Sequence, residues 1–218
     1  MLKVAKFGGS SLANSTQFRK VRSIVESDPS RRYVVVSACG KESKEDHKVT
    51  DLLYLCEAHI RYGVPYDDIF RLIEDKYLKI RDDLGLTTDL GSQFLDIRQA
   101  LDRGATTDYV VSRGEYLAAL LMAEYLGATF VDAKDVIYFK ADGSFDLPKI
   151  REQLAPGRVA PHPSSSPGFT VPCLTAASGS CPEEEATSRE PSSPTRRTPK
   201  SMRTGPTFPA SWWRTPGS

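Results

Sequence analysis

Residues 6–11 read KFGGSS: a lysine, an aromatic ring, two adjacent glycines and two hydroxyls, closing the apolar-rich stretch LKVAKF. Backbone N–H groups that no side chain obstructs can cradle phosphate oxygens at such a turn, and a lysine beside them supplies a mobile positive charge. The spacing is not that of a Walker A loop. A plain tight turn between a strand and a helix uses the same residues without any ligand, so the glycine pair alone leaves both readings open. Other chemistry-bearing side chains are sparse. The histidines His47, His59 and His162 stand too far apart in sequence to suggest a metal site, and are expected at solvated positions. Cys39 and Cys56 are expected as small buried hydrophobes, since no C-x-x-C spacing links the four cysteines.

The glycine pair needs a strand before it and a helix after it, and the pattern supplies both. LKVAKF (2–7) reads as a buried strand, and Asn14 or Ser15 can cap a helix with Phe18, Val21, Ile24 and Val25 turned inward, ending at Pro29 and Ser30. YVVVSA (33–38) is a β-branched run with the character of a central strand. Strand, helix and strand with short connections make a parallel βαβ unit. The polar run GKESKEDHK (40–48) reads as a solvated loop near the glycine turn. Helices are expected over 49–62, with Leu52, Leu53, Leu55 and Cys56 inward, and over 67–84, 89–103 and 107–126, the last stopped by Gly127. Short strands near 129–132 and 136–140 and a helix in FDLPKIREQL (145–154) complete the ordered part. The fold class expected is α/β, a three-layer α/β/α sandwich around a mainly parallel sheet.

Charge and hydropathy narrow the function classes. Twenty-nine basic and 28 acidic residues give a net charge of +1, so no nucleic-acid footprint is expected and any polyanion must be held locally. No apolar run approaches membrane-spanning length and the amino terminus lacks a signal-like apolar core, so a cytoplasmic protein without a membrane partner is expected. The averages hide a break, however. Twelve of the fifteen prolines lie in 156–218, whereas all nine tyrosines and every isoleucine lie before Ala155. Residues 1–155 and 156–218 are therefore expected to be different kinds of segment.

The order KFGGSS, VVVSA, VTDLL, SRGEYLAA and LGA resembles the amino-acid kinase family, most closely its aspartate kinases, over residues 2 to about 155. The resemblance implies ATP-dependent phosphorylation of the β-carboxylate of L-aspartate, with Mg²⁺ accompanying the nucleotide, no metal site of the protein's own, and a homo-oligomer for a full-length member. It implies contacts to the ATP phosphates from Lys6, Phe7, Gly8, Gly9 and Ser10, with Lys6 catalytic, and contacts to the amino-acid substrate from Thr50 and Glu115. Structural roles compete with these. Thr50 can serve as the N-cap of a helix beginning near Asp51, Glu115 can stabilise the positive end of its helix, and Arg113 reads as a solvated or paired surface charge. Other members of the family, glutamate and acetylglutamate kinases, are the nearest alternative function. A non-catalytic protein displaying a proline-rich ligand is the alternative from a different class.

By composition, 156–218 is a disordered, proline-rich tail. The genetic code offers another reading. Permitted codons for Gly168–Ser178, regrouped from each third base, allow FYGAMPDGRI; those for Cys181–Glu190 allow SRGGSDITG; those for Ser201–Ser218 allow YENWTDVSGVLVADPRI. These resemble, in order and in one frame, the segments that follow in aspartate kinases. The expectation is a frame change between about 154 and 163, so that 156–218 is non-native and the chain as written does not turn over aspartate.

Overall fold

The computed structural model describes residues 3–154 and 170–173. The described residues all lie within the unit Met1–Cys181; the regrouped segments 181–190 and 201–218 fall outside them. Four parallel strands, β1 (Lys3–Phe7), β2 (Arg31–Val36), β3 (Thr129–Asp132) and β4 (Thr170–Cys173), lie in the order β1-β2-β4-β3. Seven helices accompany them: α1 (Ser15–Glu26), α2 (Val49–Arg61), α3 (Asp67–Leu84), α4 (Leu90–Asp102), α5 (Thr107–Leu126), α6 (Ala133–Val136) and α7 (Leu147–Gln153).

Helix boundaries follow capping chemistry. The Asn14 side chain accepts from Gln17 N and starts α1, Thr106 accepts from Tyr109 N and starts α5, and Gly85 and Gly127 close α3 and α5 in the left-handed conformation that a side chain resists. Eleven of the twenty residues of α5 are buried, which makes it the central helix of the core. One hydrophobic cluster joins Val34 and Val36 of β2 to Phe18 of α1, Leu53 of α2, Tyr77 of α3, Phe94 of α4 and Leu117 of α5, with Phe7 and Phe130 packed against it. Side chains alternate along a strand. Phe7 and its register partner Val36 therefore face the helices, while Lys6, paired in register with Val35, lies on the opposite face of the sheet.

Several local expectations need correction. Ile24 is 47% exposed, because the apolar stripe of α1 runs through Phe18, Val21 and Val25 only. Residues 136–140 form no strand. The Asp132 carboxylate accepts from Lys134 N and starts the short helix α6, which takes Val136, and beyond it Phe139 makes a single antiparallel bridge to Phe145 around Gly143. Strand β4 falls within the stretch expected to carry no periodic structure. It fills the space between β2 and β3, which do not pair with each other; Pro172 lacks a backbone N–H, and β4 meets β2 in a single register pair, Tyr33↔Thr170.

Candidate functional site

The carboxyl ends of β1 and β2 lead into two loops that touch through their backbones. Gly40 N donates to Gly9 O at 2.9 Å, and Ser37 N donates to Phe7 O at 3.1 Å. Gly9 and Gly40 are glycines for a steric reason: a Cβ on Gly9 would stand 2.8 Å from Ala38 O, and one on Gly40 would stand 2.6 Å from the carbonyl carbon of Gly9. Gly8 differs. Its backbone (φ −79°, ψ 169°) suits any residue, and among the described residues nothing lies within 4 Å of a Cβ placed there. Among the described residues the space beside Gly8 is open.

A cleft of about 460 Å³ opens above this contact, lined by Gly9, Ser10, Gly40, Lys41, Lys48, Thr50 and Glu115 together with residues 37–39. Its floor is the glycine contact, one wall is the loop into α2, and the other is α5. Four of the residues implied by the resemblance, Gly9, Ser10, Thr50 and Glu115, thus share one cleft. Phe7 and Gly8 stand just outside its lining, and Lys6 is exposed on the far face of β1. The lysines Lys41 and Lys48 were hidden in sequence within a run that reads as solvent-facing; the signal was their position on either side of a loop that starts at a strand end.

Two structural alternatives fail. Thr50 is not the N-cap of α2, because the helix begins at Val49 with Lys48 at the cap, where no side chain forms a capping bond. Glu115 lies eight residues beyond Thr107, the first residue of α5, about two turns into the helix and so past the first turn in which the helix dipole acts. Burial raises the Glu115 carboxyl above the ordinary glutamate range, while backbone amides, including that of Ala38, and the charge of Arg113 pull in the other direction. A half-buried carboxylate with no charge-paired role in the core is costly to keep, and such groups concentrate at functional sites.

Arg113 is not a surface charge. It is 8% exposed, its guanidinium lies 4.4 Å from the centre of the Tyr109 ring and 4.7 Å from that of Tyr116, and it donates to Ser112 Oγ at 2.9 Å. Aromatic faces stabilise such a desolvated cation. Between Arg113 and Glu115, Gly114 allows α5 to close on its neighbours: a Cβ there would meet the Ala38 methyl at 2.8 Å and Val49 Cγ1 at 3.2 Å. The S-x-G-E pattern is thus a packing device that brings Glu115 to the cleft.

The glycines separate structural from ligand-directed roles. Gly40→Ala drives a Cβ into backbone and is expected to destabilise by about 1–3 kcal/mol. Gly8→Ala meets open space among the described residues and is expected to change stability by no more than about 0.5 kcal/mol, while weakening the nucleotide contact that the resemblance implies. Thermal unfolding and a nucleotide titration of the two variants check this; equal destabilisation would refute it.

Comparison with known proteins follows the same lines. Residues 1–166 match the model of the amino acid kinase family. The chain belongs to that family. It is 37% identical over 149 residues to aspartokinase 3 of Bacillus subtilis, covering 63% of this chain and 33% of that protein, and 29% identical over 133 residues to the chloroplastic aspartokinase 2 of Arabidopsis thaliana, covering 56% of this chain and 24% of that one. It therefore spans a third or less of these relatives' length. The crystal structure of Clostridium acetobutylicum aspartate kinase superimposes with a TM-score of 0.70 at 42% identity, over 78% of this chain and 38% of the other. Escherichia coli aspartokinase III, solved with aspartate and ADP, superimposes at 0.60 with 23% identity, over 79% of this chain and 40% of its own, which speaks for the fold alone. The family assignment extends past Ala155, to residue 166.

Proposed function

We propose that this chain carries the amino-terminal part of the catalytic domain of an aspartate kinase, which transfers the γ-phosphoryl group of ATP to the β-carboxylate of L-aspartate. The observation that supports it most is the convergence in one cleft of Gly9 and Ser10 with Thr50 and Glu115, from three separate stretches of sequence, each of which resembles an aspartate kinase motif. Likeness to aspartokinases at 37% and 42% identity points the same way. Aspartate's β-carboxylate, with a reference pKa of about 3.9, is already ionised at neutral pH, so the nucleophile needs no general base. Catalysis then rests on positioning and on neutralising charge in the transition state.

In this reading Phe7, Gly8, Gly9 and Ser10 offer backbone amides to the ATP phosphates, with Gly8 leaving the room they need. Lys6 offsets charge on the transferring group, Glu115 pairs with the substrate ammonium, and Thr50 offers its hydroxyl to the substrate. Among the described residues no three His, Cys, Asp or Glu side chains gather as a metal site. In this reading Mg²⁺ would come with the nucleotide and screen phosphate charge. No described helix is long and apolar enough to cross a membrane.

We further infer that 156–218 is an out-of-frame tail, because three separated segments regroup in one frame. Restoring that frame supplies the protein in which the activity is measured. With ATP present, the restored protein is expected to release ADP in response to L-aspartate and not to L-glutamate or N-acetylglutamate. Preference for either of the latter would move the assignment to another branch of the family.

A further inference from the structure

The loop that joins β2 to α2 is held by a lysine from a different part of the chain. Lys76 of α3 has a side chain only 11% exposed. Its ammonium donates to Gly40 O at 2.7 Å, to Asp46 Oδ2 at 2.6 Å and to His47 O at 3.1 Å. An ammonium has three donors, and here all three are used. Two of the acceptors are backbone carbonyls at the two ends of the 40–47 excursion, so one side chain closes the loop at its base. The third, Asp46, also accepts from Glu42 N at 2.7 Å and from His47 N at 2.7 Å, which ties the interior of the loop to the same point. Burial pushes the Asp46 carboxyl up, but Lys76 and the two amides outweigh it and leave it below the ordinary range. Outside this knot, Lys79 lies 3.6 Å from Glu42 and Asn14 donates to Glu42, both exposed contacts that add little.

The neighbour of Lys76 reaches the opposite wall. Tyr77, fully buried, donates its hydroxyl to Gly114 O at 2.7 Å, beside Glu115. Two consecutive residues of α3 thus hold the two sides of the cleft: one the loop that bears Lys41 and Lys48, the other the helix that bears Glu115. Burying a lysine costs side-chain entropy and desolvation that an apolar residue of like size avoids, so net stability is a poor reason for its presence.

We infer that Lys76 is a positioning residue of this cleft: by closing the 40–47 loop it sets Lys41 and Lys48 at the mouth and keeps water from the side where Glu115 lies. That the cleft receives the substrates rests on the function proposed above; the closing of the loop does not. Charged and titratable groups around Glu115 are Arg113 on its own helix, Lys41 and Lys48 on the loop, and Cys39 and Tyr77 behind it.

Two readouts on the full 218-residue chain test this without any turnover: amide hydrogen exchange, and titration of the Glu115 carboxyl followed by NMR. In Lys76→Met the amides of Glu42 and His47 are expected to exchange at least about 10-fold faster, while the core amides of α5 stay within about twofold. The Glu115 titration should move down toward the ordinary glutamate range, as water reaches it. That sign is diagnostic, because removing a nearby cation without opening the loop moves it up. Lys76→Gln, whose amide can reach only some of the three acceptors and which leaves Asp46 and the two amides it accepts from in place, should shift both readouts in the same direction by less, and it decides the matter if Lys76→Met does not fold. Unchanged exchange at Glu42 and His47, or faster exchange with Glu115 unmoved or moved up, would overturn the positioning role. A frame-restored wild-type protein inactive toward aspartate overturns the substrate reading and leaves these two readouts decisive for the loop.

Discussion

In the frame-restored protein, Lys6→Ala is expected to lower kcat for aspartate phosphorylation by about 10²-fold or more, with the KM for aspartate changed by no more than about twofold. On the function proposed above the chemistry needs no base and Lys6 offsets charge on the transferring group, so the loss falls on the transition state. Lys6 lies at the end of β1, exposed, on the sheet face away from the helical cluster. Its removal should leave stability within about 0.5 kcal/mol, which separates a catalytic loss from an unfolding one. Steady-state kinetics and thermal unfolding of the same preparation check both halves. A variant with kcat unchanged would mean that the glycine turn holds phosphate without its lysine.

Glu115→Ala is expected to act on the other substrate. If Glu115 pairs with the substrate ammonium as proposed above, its loss should raise the KM for aspartate by about 10- to 100-fold and leave the KM for ATP nearly unchanged. The same residue predicts a pH dependence whose sign is fixed by its surroundings. Burial holds the Glu115 carboxyl above the ordinary glutamate range, so it becomes protonated at a higher pH than an exposed glutamate does, which on the proposed function ends its pairing with the substrate ammonium. The KM for aspartate should therefore rise as pH falls while the substrate's own β-carboxylate is still ionised, and in Glu115→Gln that rise should disappear. A pH profile that is the same in wild type and Glu115→Gln would place the ammonium elsewhere.

Much of the scaffold was legible because local signals and tertiary packing agree. The cap at Asn14 or Ser15, the stop at Gly127 and the apolar periods of α3 and α5 marked helices by themselves, and the structure starts α1 after Asn14 and closes α5 at Gly127. The expected strand at 136–140 failed because a side-chain cap from Asp132 outweighed the β preference of Val136 and Ile137. The site was legible as a set of residue types but not as a geometry. Nothing in KESKEDHK distinguishes a loop fastened by a distant lysine from one that merely faces water, since Lys76 lies 30 residues from Asp46. Arg113 was misread for a related reason: its partners are aromatic faces at positions 109 and 116 rather than carboxylates, and a charge beside a tyrosine in sequence carries no sign of burial. Gly40, which sequence passes over as the start of a polar loop, proves to be the backbone contact that joins the two loops.

The most direct measurement compares two proteins side by side: the 218-residue polypeptide and the product of the same gene with one base restored between the codons for Leu154 and Pro163. Both are supplied with ATP, Mg²⁺ and L-aspartate, and the acyl phosphate is trapped as its hydroxamate. The restored protein is predicted to form aspartyl hydroxamate at a rate that collapses in its Lys6→Ala variant, and the 218-residue polypeptide to form none above background. Equal product from the two, or none from a restored protein that folds cooperatively, would contradict the account.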